Sequence, residues 1–413
     1  MNAKRLIHVG LFLICAAIGG GYAQTSVCAS HSGSLYCLPT RVVGNPSGSS
    51  SNPFTPWSPV YSAVGSQLTL LPLPSPASGI SLVFDTSLGV VTRKTQSLGP
   101  LFAERAETVG RHKLFLEFDY QRFEFSSIDN TNLKHIPIVF EACDQPLTQN
   151  GTFCPGNLTI AATDNRLDLK INQVTASATF GLTKNFDISI LVPIINTTEG
   201  YGLNSVNTIQ GNSGVFKPGS VSSGASGIGD LSFRGKGTLY QTEHFGIAAG
   251  TDVRFPTGDE LNFLGSGAWG VRPFLVASYQ WRISPHANVA YQWNGNSVLG
   301  NPNAGSSGQR GEQLPASLQY SLGVDLAASK KVTIAADFLS FRLFNALRLS
   351  QVNPIGYPSV FPTRNDFTTS DGTIGVKVNP VANLILNANV DFKLDHNGLR
   401  HKPAPLVGVS YTF

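Results

Sequence analysis

Leu114-Phe115-Leu116-Glu117-Phe118-Asp119-Tyr120-Gln121 decides how this chain is read. Leu114, Leu116, Phe118 and Tyr120 fall on one face of an extended strand, and Phe115, Glu117, Asp119 and Gln121 on the other. Side chains alternate across a strand with a period of two, so the pattern marks a strand with one face turned to an apolar medium. The same period returns downstream. Ile188, Ile190, Val192 and Ile194 form one such face, and Leu231, Phe233 and Leu239 share another with Gly235 and Gly237, opposite Ser232, Arg234, Lys236 and Thr238. Leu318 to Leu326 and Leu384 to Phe392 repeat it, opposite Gln319, Ser321 and Asp325, and Asn387, Asn389 and Asp391.

Composition says which medium. Of 413 residues only 13% are charged, about half the share of a soluble globular chain. Aromatic residues reach 10%, with 25 Phe, yet mean hydropathy is only +0.03. The chain is too apolar for disorder. Its longest apolar stretch after the leader, Ile188 to Ile195, is interrupted by Ser189 and Pro193 and falls far short of the ~20 residues a spanning helix needs. In a transmembrane β-barrel every second residue meets lipid, which keeps mean hydropathy near zero. The fold class expected is therefore all-β, an antiparallel up-and-down transmembrane barrel of about twelve strands.

Candidate strands lie near 113–126, 165–181, 186–199, 227–241, 245–257, 270–283, 286–297, 314–329, 331–348, 368–379, 382–394 and 403–413. Their connections alternate in length. Short ones fall at Leu182–Asn185, Thr242–His244, Ser284–Pro285, Lys330 and Pro380–Val381; long ones near 127–164, 200–226, 258–269, 298–313, 349–367 and 395–402. Short turns on one rim and long loops on the other are the pattern of bacterial outer-membrane barrels, the short set being periplasmic. The barrel is expected over 113–413, closed by Val407, Val409, Tyr411 and Phe413, with Tyr411 and Phe413 as the signal read by the barrel-assembly machinery.

Lys4 and Arg5, an apolar run from Leu6 to Ile18 and a small-x-small site before residue 24 predict a signal peptide over 1–23, and export to the bacterial outer membrane. Removing Lys4 and Arg5 from the 29 basic residues leaves 27 against 25 acidic. That near-balance gives no electrostatic case for a nucleic-acid partner. Residues 24–112 read as an irregular segment with one hairpin, Ile80–Phe84 with Gly89–Thr92, and Gly44–Ser58 extended. The segment is expected to cover or plug the barrel from the periplasmic side. Cys28, Cys37, Cys143 and Cys154 are expected as disulfides, with Cys28–Cys37 and Cys143–Cys154 favoured by closeness among three possible pairings. No C-x-x-C spacing and no neighbouring His cluster supports a metal there.

Strand phase predicts which charges line the lumen. The acids are Glu117, Asp119, Asp168, Asp187, Asp230, Asp252, Asp325, Asp337 and Asp391. The bases are Lys170, Arg234, Lys236, Arg254, Arg272, Arg282, Lys377 and Lys393. Nine acids face eight bases, which either line a water path or pair across a filled interior, where unpaired charge is costly. Apolar stations share that face: Phe274, Val276, Leu191 and Ile195. Aromatic residues near strand ends form two interfacial girdles, Phe180, Phe186, Tyr240, Phe245, Tyr279, Trp281 and Phe413 on one rim and Phe255, Tyr291 and Trp293 on the other. No cofactor is called for, and catalysis is not expected. No His-x-Ser occurs, His244 and His286 fall in turns by this reading, His135, His396 and His401 belong to outer loops, and Asp395-His396 is polar loop filler.

Leu70-Leu71-Pro72-Leu73, Ser75-Pro76-Ala77-Ser78-Gly79, Ser97-Leu98-Gly99-Pro100 and Glu104 through Lys113 resemble the entry to the first strand in a set of exported barrels. Asp168 to Gln173 and Phe180-Gly181-Leu182-Thr183 continue the likeness. The chain resembles the outer-membrane transporter family of the "MetA-pathway of phenol degradation" type, over roughly residues 70 to 413. The resemblance implies passive uptake of small, apolar or aromatic molecules through a barrel akin to fatty-acid and hydrocarbon channels, with outer-membrane lipid as neighbour. It carries over no site residue. The alternative is a structural or adhesive surface barrel that binds ligands on its outer loops and transports nothing.

A first prediction follows from the terminal alternation. Deleting Phe413, or replacing it with Asp, should cut the yield of folded, heat-modifiable barrel several-fold in a cell-fractionation assay; wild-type yield would count against the assembly role.

Overall fold

The computed structural model describes residues 27–43, 57–69, 71–72, 74–76, 82–85, 90–93, 97–100, 102–143, 158–301, 311–353, 356–381 and 383–413. The expected leader 1–23, most of the expected extended stretch Gly44–Ser58, and Cys154 lie outside the described residues.

Among the described residues twelve strands form one closed antiparallel barrel. They are β1 (Leu114–Ile128), β2 (Leu158–Gly181), β3 (Phe186–Gln210), β4 (Ser232–Gln241), β5 (Phe245–Arg254) and β6 (Gly270–Tyr279). They continue as β7 (Ile283–Asn294), β8 (Ala316–Ala327), β9 (Val332–Val352), β10 (Ser359–Val381), β11 (Leu384–Lys393) and β12 (Ala404–Thr412). Each pairs with its sequence neighbours, and β1 closes the ring. Phe118 lies opposite Val409 of β12 on one side and Ala176 of β2 on the other. Closure leaves the ring no free edge.

Alternation sets the two faces. Phe118, Ile188, Phe233, Leu275, Leu322, Ile374, Leu386 and Val407 are exposed on the outer surface, and so are the girdle rings Phe186, Tyr240, Phe245, Tyr279, Trp281, Phe255, Trp293 and Phe413. Short turns occupy one end, at 182–185, 242–244, 280–282, 328–331 and 382–383. Two turns differ from expectation: Ser284 and Pro285 belong to β7, and the chain reverses at 280–282, while Pro380 and Val381 end β10 and the chain reverses after them. Proline is tolerated in β7 because the β6–β7 ladder reaches only to Ser278 and His286, so Pro285 lies just beyond its end.

At the other end the sheet rises beyond what a bilayer needs. β2, β3, β9 and β10 run 24, 25, 21 and 23 residues, against ~9–11 for a crossing. Two further strands, Ile136–Cys143 and Gly219–Ile228, pair with the tall parts of β2 and β3. Much of the expected loops 127–164 and 200–226 is therefore sheet. Gly and Ser dominate Gly219–Ile228, so no hydrophobic alternation announces it; its backbone pairing alone makes it a strand.

The N-terminal segment also holds more order than expected. The hairpin is present, with Leu82 opposite Arg93 and Asp85 opposite Val90. A helix spans Ser58–Leu68, with Pro59 in its first turn, where a missing N–H costs no hydrogen bond. It is buried on nearly every side, and such a helix carries no amphipathic stripe to read. Gly65 allows the approach: a Cβ there would sit 2.7 Å from a Leu299 methyl. Cys28 and Cys37 are joined by a disulfide, with their Cα atoms 5.4 Å apart.

The sidedness of the two rims is testable. A membrane-impermeant thiol reagent should label Asn212→Cys at a long-loop tip in intact cells and leave Ser329→Cys in a short turn unlabelled. The reverse would invert the topology.

Candidate channel lumen

The barrel's interior is occupied by its own N-terminal segment. At the long-loop end, Trp57, just before the helix, and Tyr61 within it pack edge-on against each other, and Trp57 meets Tyr201 of β3 with ring centres 4.8 Å apart. Tyr61 donates its hydroxyl to Glu199. Burial, and then the Glu199 charge, push the Tyr61 phenol well above its ordinary value, so it remains a donor at any physiological pH. Gln67 donates to the Leu347 carbonyl (3.2 Å) and accepts from Leu399 N–H (2.6 Å).

Towards the short-turn end, residues 97–109 run along the inner wall. Lys236 of β4 spends all three of its protons on them. It reaches Glu104 at 2.9 Å and the carbonyls of Arg105 (3.1 Å) and Glu107 (2.9 Å). Arg234 grips Asp252 with two donors, at 2.6 and 3.0 Å, and Glu104 with a third. Arg105 pairs with Asp325 at 3.4 Å. Asp337 accepts from the backbone N–H of Phe102 (3.0 Å) and from His286 (2.8 Å). Val109 N–H donates to Asp187 (2.9 Å), and Leu98 N–H to Thr333 (2.8 Å). The contacts come from β3, β4, β8 and β9, so the segment is held from both sides of the ring. Burial alone would raise the Glu104 pKa, but Lys236 and then Arg234 bring it below its ordinary 4.5.

The structure places Glu117, Asp119, Asp187, Asp230, Lys236, Asp252, Asp325, Asp337, Lys377 and Asp391 in the buried interior. Arg234 and Arg254 are largely buried there, while Arg272 is half-buried and accompanies Arg234 on Asp252. Four expected lumen charges are elsewhere. Asp168 and Lys170 share a face with the outward Val174, and Asp168 pairs with Arg166 at 3.0 Å outside the barrel. Leu167, Leu169 and Ile171 take the inner face, packed in the cluster that holds the helix. The phase is inverted here because water lies outside the rim while the plugging chain lies within. Arg282 is exposed in the 280–282 turn. Lys393 stands half-buried at the outer end of β11.

Two histidines also move. His286 is not in a turn but buried on β7 beside Asp337, and His401 is buried on a short strand, Leu399–His401. Strand phase missed Glu104 and Arg105 because they lie on no barrel strand, yet Glu104-Arg105-Ala106-Glu107 is the densest charge cluster between residues 24 and 109. That density was the readable signal.

Between helix and segment 97–109 a cavity of about 230 Å³ remains. Leu71, Leu191, Ile195, Phe274 and Phe341 give it apolar walls, and Arg254, Arg272 and Gln319 place donors along one side.

Residues 144–342 match the family described as "Putative MetA-pathway of phenol degradation". The resemblance read from sequence is thereby shown for β2 through β8 and the first half of β9, while the quoted motifs at 70–113 lie outside the match. No curated protein matches the chain. An outer membrane channel from Pseudomonas putida F1 is similar at 12% identity and TM-score 0.46, covering 75% of this chain and 99% of its own. A Pseudomonas aeruginosa FadL homologue gives 10%, 0.32, 73% and 90% in the same order. A monoaromatic hydrocarbon channel, the TodX deltaS2S3 mutant, gives 10%, 0.36, 75% and 92%.

Removing one partner from a buried ion pair costs about 3–5 kcal/mol, so Glu104→Gln should loosen the segment and raise single-channel conductance in planar bilayers. Lys236→Met should act alike, and the double variant should cost clearly less than the two combined. Because the folded Glu104 pKa is depressed, its stabilising contribution is present above about pH 4.5 and is lost as pH falls through the folded value. Wild-type conductance should accordingly rise only in acid; full additivity, or a rise on the alkaline side, would refute the linkage.

Proposed function

We propose that the protein is a bacterial outer-membrane channel for passive uptake of small, weakly polar molecules, exported by its leader 1–23 and plugged from within by residues 24–112. The observation that carries this reading is the cavity: a space with apolar walls and a few donors inside a barrel whose outer belt suits lipid. Its volume of about 230 Å³ lies just below the ~300–1,000 Å³ of sites that take drug-sized ligands. A solute with one aromatic ring and one polar end fits both walls. Of the expected charges, eight acids and five bases line the interior in mixed order without a ring of one sign, so small cations and anions should pass with little discrimination.

The family match supports uptake over the adhesive alternative, and so does the depth of the cavity, which lies below the outer loops. Barrel-assembly machinery and lipid are the partners this reading requires.

Proteoliposome swelling tests the proposal. Phenyl glucoside should enter faster than a disaccharide of similar size, and Phe274→Asp should narrow that preference about ten-fold. Rates no greater than in protein-free vesicles, both for wild type and for Glu104→Gln, would overturn it.

A further inference from the structure

Asp371 on β10, Asp391 on β11 and His401 on the short strand before β12 bring three ligand atoms within 4.8 Å of one another. All three residues are buried, Asp391 at 0% exposure and the others at 6% and 4%. Both carboxylate oxygens of Asp391 are shut away from solvent without a hydrogen-bond partner. Such a carboxylate is costly unless something of opposite charge meets it.

His401 does not meet it with a proton. Its Nδ1 lies 2.7 Å from the Lys402 carbonyl. A carbonyl only accepts, so Nδ1 carries the hydrogen, and neutral imidazole then has a bare lone pair on Nε2. Nε2 lies 3.6 Å from Asp391 Oδ2, too far for a hydrogen bond. It is close to the spacing of two ligands held at ~2.0–2.2 Å by one tetrahedral cation. A ring fixed through its other nitrogen to a carbonyl is also how metal-bound imidazoles are oriented.

Arg400 accounts for only part of the charge. Its guanidinium bonds Asp371 and the Ser370 carbonyl (2.8 Å) and lies 3.7 Å from Asp395. Asp391 is left over, facing the imidazole lone pair.

We infer that Asp371, Asp391 and His401 bind one divalent metal ion, with Zn²⁺ the best match to one imidazole and two carboxylates. A water fills the remaining position. The ion joins β10, β11 and the Leu399–His401 strand, whose Leu399 N–H holds Gln67 of the helix. It thereby braces the wall on which the plugging segment docks. The site is independent of what crosses the lumen.

The test uses the untagged full chain, folded in detergent and stripped with EDTA, then titrated with Zn²⁺ by calorimetry. One ion per chain is expected, with affinity at least ten-fold weaker in Asp391→Asn and in His401→Gln. His135→Gln, which alters an exposed imidazole, should bind as wild type does. Zn²⁺ should also raise the temperature at which the heat-modifiable band unfolds in wild type and not in the two site variants. Absence of saturable binding by wild type would overturn the inference, since Asp391 would then carry a proton. Undiminished affinity in Asp391→Asn would overturn it too, and should that variant fail to fold, undiminished affinity in His401→Gln decides the same way.

Discussion

Everything in this molecule depends on satisfying backbone hydrogen bonds without water. A strand in hydrocarbon has no solvent to bond its N–H and C=O groups, so a spanning sheet must close on itself. Here β1 does the closing, pairing with β12 through Phe118–Val409 and with β2 through Phe118–Ala176. Closure has a second effect that the chain must then manage. Each strand sends every other side chain inward, and the twelve-stranded ring gathers Asp, Glu, Lys and Arg in a space too narrow to hydrate them all.

The N-terminal segment resolves that second problem. Glu104 and Arg105 supply charges of both signs, and the backbone around them supplies carbonyls to Lys236 and N–H groups to Asp337 and Asp187. Buried ion pairs add little net stability but are expensive to break singly. They are therefore well suited to holding a segment in one register while leaving its removal all-or-none. The apolar upper layer around Trp57, Tyr61 and Tyr201 works differently, by burial and ring packing, and is indifferent to salt.

The two layers explain why polarity inverts along β1 and β2. Within the belt, Phe118 and Tyr120 face outward and Glu117 and Asp119 inward. Above it, Arg122 and Glu124 face outward and Phe123 and Phe125 inward. Each strand keeps its period of two throughout. What changes is the neighbour on each side, from lipid outside and charge inside to water outside and an apolar helix inside.

Much of the fold was legible from the sequence because its determinant is local. A period of two, a lipid-facing residue at every second position and turns of alternating length need no knowledge of partners, and they located all twelve strands and set the short turns to within a few residues, though not the tall outer ends of β2, β3 and β10. Lumen charges such as Glu117, Arg234, Lys236 and Asp252 were readable for the same reason. Asp168 and Lys170 were not, because phase tells which residues share a face and not what that face meets. The helix Ser58–Leu68, buried all round, left no stripe to read. The tall strand Gly219–Ile228, paired through backbone alone, left no hydrophobic mark. Only the closed ring decided that Glu104 meets Lys236, 132 residues away in sequence, and that His401 faces Asp391, since contacts across a lumen are set by where the barrel closes and by which chain fills it.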